Sequence, residues 1–248
     1  MNKFAGLLVA AVLAFTTGAH AADKITIGTE GAYPPFNEKN EKGELIGFDL
    51  DIARALCAKM AADCSYVAQD WDGIIPALNA KKYDAIVASM SITDERMKKV
   101  DFTDPYYANF LAYIAKKGSG VKTDMDGIKG KVIGAQRATV SAQYLEDNLR
   151  DVVKIKLYDT QTAGYSDLKT GRLDAMLSDI YPALQWINDP ANSDYDLTGD
   201  RIDIDDRIGI AVRKGDPLRE KLNAALDQII QDGTYEQISK KYFGKNIY

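Results

Sequence analysis

The chain has 248 residues, a formal net charge of −5 and an ordinary hydrophobic content of 46%. The acidic balance argues against a nucleic-acid partner, because proteins that bind nucleic acids need basic patches. No stretch is low in complexity and no Ser- or Pro-rich linker divides the sequence, so its length fits one large domain or two small ones.

The N-terminus, residues 1–21, has the layout of a secretory signal peptide. Lys3 supplies a positive charge, residues 4–15 form a nearly unbroken apolar run, and residues 19–21 resemble a signal-peptidase site. A buried N-terminal helix is the alternative, but it does not explain this order of features. The apolar run is too short to span a bilayer, and no later segment is apolar enough to do so. We therefore expect a periplasmic mature chain that begins near Ala22 and lacks histidine, because the single histidine is removed with the signal peptide.

Cys57 and Cys64 are the two cysteines of the chain. An even count in an exported protein predicts a disulfide, and the short loop that it would close limits the stabilisation to roughly 2–3 kcal/mol. Metal binding is the alternative, but two thiols without any histidine make a poor metal site. We expect the disulfide, and no metal or other cofactor.

The first half of the chain alternates between predicted strands and helices. In chain order the patterns predict a strand over residues 24–28, a loop over 31–36, a helix that opens at 47–49, a strand around 66–67, a helix over 73–80 and a strand over 83–88. The loop follows from its paired prolines, and the helices follow from apolar residues at helical spacing. Such alternation indicates βαβ units and mostly parallel sheets.

Two stretches, residues 78–89 and 168–179, share one design: a helix end, a basic turn and a strand that closes on a polar side chain. The first strand ends at Ser89 and the second at Asp179. Ligands of open parallel sheets bind beyond the carboxyl ends of the strands. The near repeat therefore predicts two similar lobes with polar groups at their sheet edges, although two unrelated βα units could also look alike.

The two lobes are not expected to follow each other simply along the chain. Residues 107–116 form an extended segment that could carry the chain into the second lobe, and residues 207–212 could bring it back. The final helix would then pack on the first lobe through its spaced apolar residues. We expect lobe 1 to comprise residues 22–110 and 204–248, and lobe 2 to comprise residues 111–203.

Arg96 and Thr139 are the candidate groups for binding an anion. Thr93 can cap a short helix that places Arg96 near the polar residues 89–91, and a guanidinium suits bidentate contact with a carboxylate. Thr139 can cap a helix over residues 140–149, and the N–H groups at a helix start bind anions. A solvated surface arginine is the alternative for Arg96.

Asp179, Tyr33 and Trp71 are the other candidates. The carboxylate of Asp179 could accept a hydrogen bond from an ammonium group, or it could simply cap the helix that follows. Tyr33 lies in the proline-rich loop and Trp71 just before a helix, where aromatic rings can sandwich an apolar or cationic side chain. Ordinary packing is the alternative for both rings.

Several motifs along the mature chain are typical of one protein family. They are residues 27–36 (IGTEGAYPPF), 47–52 (GFDLDI), 89–96 (SMSITDER), 171–175 (GRLDA), 232–235 (DGTY) and 241–243 (KYF). With them the chain resembles the polar amino-acid-binding proteins of bacterial ABC transporters, especially the lysine/arginine/ornithine- and histidine-binding group. The resemblance implies an α/β fold of type II, with two lobes that are each a mostly parallel sheet flanked by helices. The lobes would close on the ligand like a hinge and deliver it to a membrane permease.

The resemblance also implies roles for the candidate residues. Arg96 and the backbone around Ser91 and Thr139 would bind the α-carboxylate of an amino acid, and Asp179 and the segment at Ser89 would bind its α-ammonium. The implied ligand-binding set is Glu30, Tyr33, Trp71, Ser89, Met90, Ser91, Arg96, Gln136, Thr139, Ser141 and Asp179. The cysteine spacing fits the cationic subgroup, in which a disulfide joins a helix to the next strand.

The ligand side chain would lie between Tyr33 and Trp71, with its positive end at Glu30. Two positions depart from the pattern of the family. Ala88 stands where a serine is usual, and Ser141 stands where a glutamine is usual in the lysine/arginine/ornithine group. These departures bear on the preference for one side chain over another.

We therefore expect a monomeric transport receptor for arginine, lysine, ornithine, histidine or an opine-like derivative, without enzymatic activity. A few relatives of the fold dehydrate cyclic amino-acid precursors with an acid in the cleft, so an enzyme is one alternative and Glu30 would be its acid. The mature chain has no histidine and no Ser/His or metal constellation to support that chemistry. A sensory module for a membrane kinase is the other alternative, because it would bind the ligand in the same way.

Overall fold

The computed structural model describes residues 22–248. The expected signal peptide, residues 1–21, lies outside the described residues. Within the described part of the chain, no helix is both long enough and apolar enough to cross a bilayer.

The first part of the chain forms a parallel sheet in which β1 pairs with both β5 and β6. A small antiparallel sheet of β2, β3 and β4 lies beside it. The elements are β1 (Lys24–Thr29), β2 (Ala32–Tyr33), β3 (Asn37–Lys39), β4 (Leu45–Ile46), α1 (Phe48–Lys59), β5 (Asp63–Ala68), α2 (Ile74–Asn79), β6 (Ala85–Ser91), α3 (Asp94–Met97) and β7 (Asp101–Phe102). The strands and helices predicted for this part are confirmed, with shifts of a few residues at their ends.

Two local features differ from the prediction. Tyr33, expected in a loop, lies on the short strand β2, which ends where the following prolines remove the N–H groups that a longer ladder needs. Trp71, expected just before a helix, lies in a 3-10 turn, Trp71–Gly73, that leads directly into α2. Both differences concern boundaries, which depend on contacts outside the local sequence.

The second part forms a second parallel region, in which β9 pairs with β10 and β11. Its elements are β8 (Tyr107–Lys116), α4 (Met125–Ile128), β9 (Val132–Gln136), α5 (Val140–Asn148), β10 (Lys154–Tyr158), α6 (Gln161–Lys169), β11 (Ala175–Asp179) and α7 (Ile180–Ile187). Thr139 caps α5 as predicted, since its hydroxyl accepts the N–H of Ala142 at 3.2 Å. This cap defines where the helix begins.

Two long strands join the two parallel regions into one nine-stranded sheet. β8 pairs with β11 and with β12 (Tyr195–Val212), and β12 pairs in turn with β6, all antiparallel. The helices α8 (Leu218–Gln231) and α9 (Thr234–Phe243) follow. Leu222, Leu226 and Ile229 of α8 share a hydrophobic core with Ile25 of β1 and Phe48 of α1, so the final segment returns to the first part of the chain.

The near repeat of the sequence is a repeat of structure. Asp84 and Asp174 each accept a backbone N–H from the first strand of their own sheet, at 2.9 and 2.8 Å. The tight turn before each aspartate contains a residue with a positive φ, 61° in one and 73° in the other. The shared geometry favours two similar units over chance similarity, and it places Ser89 and Asp179 at corresponding positions, the fifth residue of β6 and of β11.

The predicted disulfide between Cys57 and Cys64 is present and joins α1 to β5. Its bond closes a short loop, with a sequence separation of 7. Among residues 22–248, no group of three or more His, Cys, Asp or Glu side chains is placed to hold a metal ion.

Candidate functional site

A cavity lies where the carboxyl ends of β1, β6, β9 and β11 meet. The lining residues surround about 290 Å³ of empty space, part of which is open to solvent. They are Glu30, Tyr33, Trp71, Ala88, Ser89, Ser91, Arg96, Gln136, Thr139, Val140 and Asp179. The structure thus brings together every residue of the predicted set except two.

Met90 and Ser141 do not line the cavity. Met90 is fully buried in a hydrophobic core with Ile74 and Phe102, because successive side chains of a strand point to opposite faces. Ser141 is buried in the first turn of α5, where the preceding residue, Val140, faces the cavity instead. The sequence motif alone did not distinguish the two faces.

Arg96 is held beside the cavity by contacts that a solvated arginine would lack. Its Nη1 donates to the carbonyl of Ser91 and its Nη2 donates to the carbonyl of Ala138, each at 2.9 Å. The guanidinium lies 5.3 Å from the centroid of the Trp71 ring, within the range of a cation–π contact. These contacts orient the side chain and disfavour the surface alternative.

The carbonyl of Ala138 is a part of the site that sequence reasoning missed. It accepts a second hydrogen bond, from Nε1 of Trp71 at 3.0 Å. Ala138 has φ 57°, in the left-handed region that residues other than glycine rarely adopt. Its role depends on a backbone group, so no side-chain pattern in the sequence could reveal it.

Glu30 is only 8% exposed and accepts a hydrogen bond from Nε2 of Gln136 at 2.7 Å. Burial raises the pKa of Glu30 to about 7; the Gln136 bond opposes this rise, and the charges of Asp70 and Asp72 add to it. The other amide atom of Gln136, Oε1, is buried without a hydrogen-bond partner.

Asp179 stands at the N-cap position of α7, but its side chain makes no capping hydrogen bond. Its Oδ2 accepts instead from the hydroxyl of Tyr33 at 2.6 Å. Burial raises the pKa of Asp179 and the nearby charge of Asp206 raises it further, whereas the Tyr33 bond lowers it. The carboxylate therefore faces the cavity rather than the helix end.

Asp206 and Asn109 form a buried polar pair that the sequence did not single out. They lie opposite each other in the ladder of β12 and β8, and Nδ2 of Asn109 donates to Oδ2 of Asp206 at 2.8 Å. Burial raises the pKa of Asp206. Asp206 occurs in a stretch rich in exposed acids, so only the strand pairing shows that this one is buried.

The sequence matches a family model over most of its length. The model describes the bacterial extracellular solute-binding proteins, family 3, and it matches residues 25–245. The chain belongs to this family. The resemblance inferred from the sequence motifs is thereby confirmed.

Individual members of family 3 are similar to the chain over nearly their whole length. The lysine/arginine/ornithine-binding periplasmic protein of Escherichia coli (strain K12) is 39% identical over 249 residues, which cover 98% of this chain and 96% of the relative. Among solved structures, an ancestral arginine-binding protein bound to arginine has a TM-score of 0.85 and 39% identity, covering 91% of this chain and 100% of that one.

A further solved structure bears on the alternative of an enzyme. An ancestral amino-acid-binding protein described as a precursor of cyclohexadienyl dehydratase has a TM-score of 0.81 and 33% identity, and the match covers 89% of this chain and 95% of that chain.

The structural neighbours share the two-lobed α/β fold, so the predicted fold class is confirmed.

Proposed function

We propose that the protein is an extracytoplasmic receptor that captures a cationic L-amino acid and delivers it to the permease of an ABC transporter. The observation that carries the proposal is the balance of charges in one cavity, which is lined by the guanidinium of Arg96 and by the carboxyl groups of Glu30 and Asp179. A cationic amino acid has the complementary set, with one carboxylate and two positive groups. Opposite charges paired in a partly buried cavity attract more strongly than in water.

Arg96 and the start of α5 bind the ligand α-carboxylate. Arg96 is already oriented by two carbonyl oxygens, and an arginine fork can offer further N–H groups to a carboxylate. Thr139 lies at the N-cap of α5, where backbone N–H groups and the helix dipole favour an anion. Asp179 and the strand end at Ser89 bind the α-ammonium.

The ligand side chain lies against Tyr33 and Trp71 and ends at Glu30. The carboxylate of Glu30 lines the cavity and accepts hydrogen bonds, so it can pair with the N–H donors of a cationic side chain. A neutral side chain would leave a buried carboxylate without a counter-charge. Met90 and Ser141 lie outside the lining, and we assign them no direct contact.

The two lobes close on the ligand like a hinge. Lobe 1 comprises residues 22–110 and 204–248, and lobe 2 comprises residues 111–203. The support is that β8 and β12 are the strands that connect the two parallel regions of the sheet.

We further propose that the protein acts as a monomer in the periplasm and leaves its ligand chemically unchanged, as expected for a transport receptor. The dehydratase alternative has the support of the buried Glu30 in the cavity and of one structural neighbour that is described as a precursor of a dehydratase. No feature of residues 22–248 distinguishes a sensory module from a transport receptor.

A thermal-shift screen of the common amino acids tests the proposal on protein stripped of bound ligand. A ligand that binds the native state alone raises the melting temperature, so arginine, lysine, ornithine or histidine should raise it most. Overnight incubation of the best ligand with stoichiometric protein, followed by mass spectrometry, should recover it intact. Strongest stabilisation by a neutral or acidic amino acid would contradict the cationic class, and a product of altered mass would contradict the receptor.

A further inference from the structure

Asp49, in the first turn of α1, is a carboxylate with 0% exposure that the proposed function does not use. Its Oδ1 accepts from the hydroxyl of Tyr106 at 2.6 Å. Its Oδ2 accepts from the hydroxyl of Ser89 at 3.0 Å and from Nδ2 of Asn37 at 2.9 Å. Burial of a carboxylate is unfavourable unless hydrogen bonds compensate it, and here three neutral donors do so.

One of these donors belongs to a residue in an unusual conformation. Ser89 has φ 51°, in the left-handed region that side-chain-bearing residues enter only when their surroundings enforce it. Its N–H donates to the hydroxyl of Tyr106 at 3.2 Å. Tyr106 therefore accepts from Ser89 and donates to Asp49, and the three residues form a closed ring of hydrogen bonds.

The ring engages two of the three polar groups of Ser89. The N–H and the hydroxyl are engaged by Tyr106 and Asp49, and the carbonyl takes part in neither bond. Ser89 also lines the cavity, at a place where the ladder between β6 and β12 changes register. Its backbone is thus displaced from regular pairing at the edge of the proposed ammonium site.

We propose that Asp49 is a positioning residue for the ligand α-ammonium. Together with Tyr106 it holds Ser89 in the left-handed conformation, and the Ser89 carbonyl then accepts a hydrogen bond from the ammonium group beside Asp179. The inference rests on the proposed function. It also assigns a role to the buried aspartate of the GFDLD motif, which lies outside the cavity and touches no ligand itself.

The test compares two ligands that differ only in the α-amino group. Calorimetry gives the Kd of arginine and of 5-guanidinopentanoate for wild type, for Asp49→Asn and for the control Asp51→Asn. Asp51 lies two residues further along α1 and pairs with Arg54 and Lys241 at the surface. Asp49→Asn should weaken arginine about tenfold, the size of one lost buried hydrogen bond, and should change the analogue less than about threefold. The control should change neither.

Each other outcome contradicts the inference. Equal losses for both ligands would show that Asp49 only supports the fold, and no loss for arginine would show that Ser89 needs no support. If Asp49→Asn does not fold, as judged by circular dichroism, Tyr106→Phe removes the bridging hydroxyl and should give the same difference between ligands. A wild type that binds no amino acid would overturn the proposed function itself. Failure of the proposed function can therefore be told apart from failure of the inference about Asp49.

Discussion

Nε2 of Gln136 donates to Oε1 of Glu30 over 2.7 Å and joins the ends of β9 and β1 across 106 positions of sequence. The two residues come from the two different parallel regions of the sheet, so the bond crosses the cavity region between them. A ligand cation would meet Glu30 while this amide still orients the carboxylate. The charge selection proposed for Glu30 therefore depends on two residues rather than one.

The first prediction concerns that selection. Glu30→Gln keeps the size of the side chain and removes its charge, so it should weaken arginine or lysine binding by roughly 1.5–3 kcal/mol, the scale of a charged hydrogen bond. Citrulline, which is neutral, should bind as well or better. Calorimetry at low salt measures both, with Glu38→Gln as the control, since Glu38 lies on β3 outside the cavity lining. Equal affinities of the variant and wild type for arginine and lysine would contradict charge selection by Glu30 and would make neutral amino acids candidate ligands again.

The second prediction is a pH dependence of affinity. Burial raises the pKa of Glu30 to about 7, so below that pH the ligand-free protein holds a proton on this group. A cationic side chain binds the ionised form, and the proton must leave first. Through Glu30 alone, affinity for arginine should therefore fall by up to about tenfold for each pH unit below 7 and level off above 7.

Titrations between pH 5 and pH 8 check this dependence. Asp179, whose pKa is also raised by burial, can add a second proton to the release. The slope of log Kd against pH reports the number of protons that are released when arginine binds. In Glu30→Gln this number should fall by one, and the proton from Asp179 should still be released. A slope that is identical in wild type and in Glu30→Gln would show that Glu30 does not lose a proton when arginine binds.

The third prediction concerns Arg96. Arg96→Ala should weaken every amino-acid ligand by about 2–5 kcal/mol, whatever its side chain, because a buried carboxylate would lose its charged partner. Agmatine, which lacks the carboxylate, should be affected much less. Lys99→Ala is the control, since Lys99 forms an exposed ion pair with Glu95 and does not line the cavity, and it should change affinity by less than about 0.5 kcal/mol. If arginine affinity falls less than threefold, Arg96 acts as a solvated surface residue and does not bind the carboxylate.

The fourth prediction separates stability from binding. Replacement of both Cys57 and Cys64 by serine should lower the free energy of unfolding by roughly 2–3 kcal/mol, because the disulfide restricts the unfolded chain. Neither cysteine lines the cavity, so arginine affinity of the folded protein should not change. Urea unfolding and calorimetry measure the two quantities, and chemical reduction of the wild type should reproduce the variant. A large loss of affinity with unchanged stability would contradict this separation.

Local sequence was sufficient for the main strands and helices of the first half of the chain and for most of the residues that line the cavity. The polar residues that end β6 and β11 could be identified because ligands of parallel sheets bind at the carboxyl ends of strands. The caps at Thr93 and Thr139 were readable because a hydroxyl at a helix start satisfies a nearby N–H. The two cysteines were likewise paired from their number and from the export signal.

The tertiary structure alone decided the features that depend on register and on backbone groups. Asp206 is buried because the pairing of β12 with β8 sets it opposite Asn109, whereas neighbouring acids of the same strand remain exposed. The Ala138 carbonyl joins Trp71 and Arg96 only because distant segments meet. A sequence pattern reports the spacing of side chains along one element, but these contacts arise between elements that are far apart in the chain, and only their packing determines them.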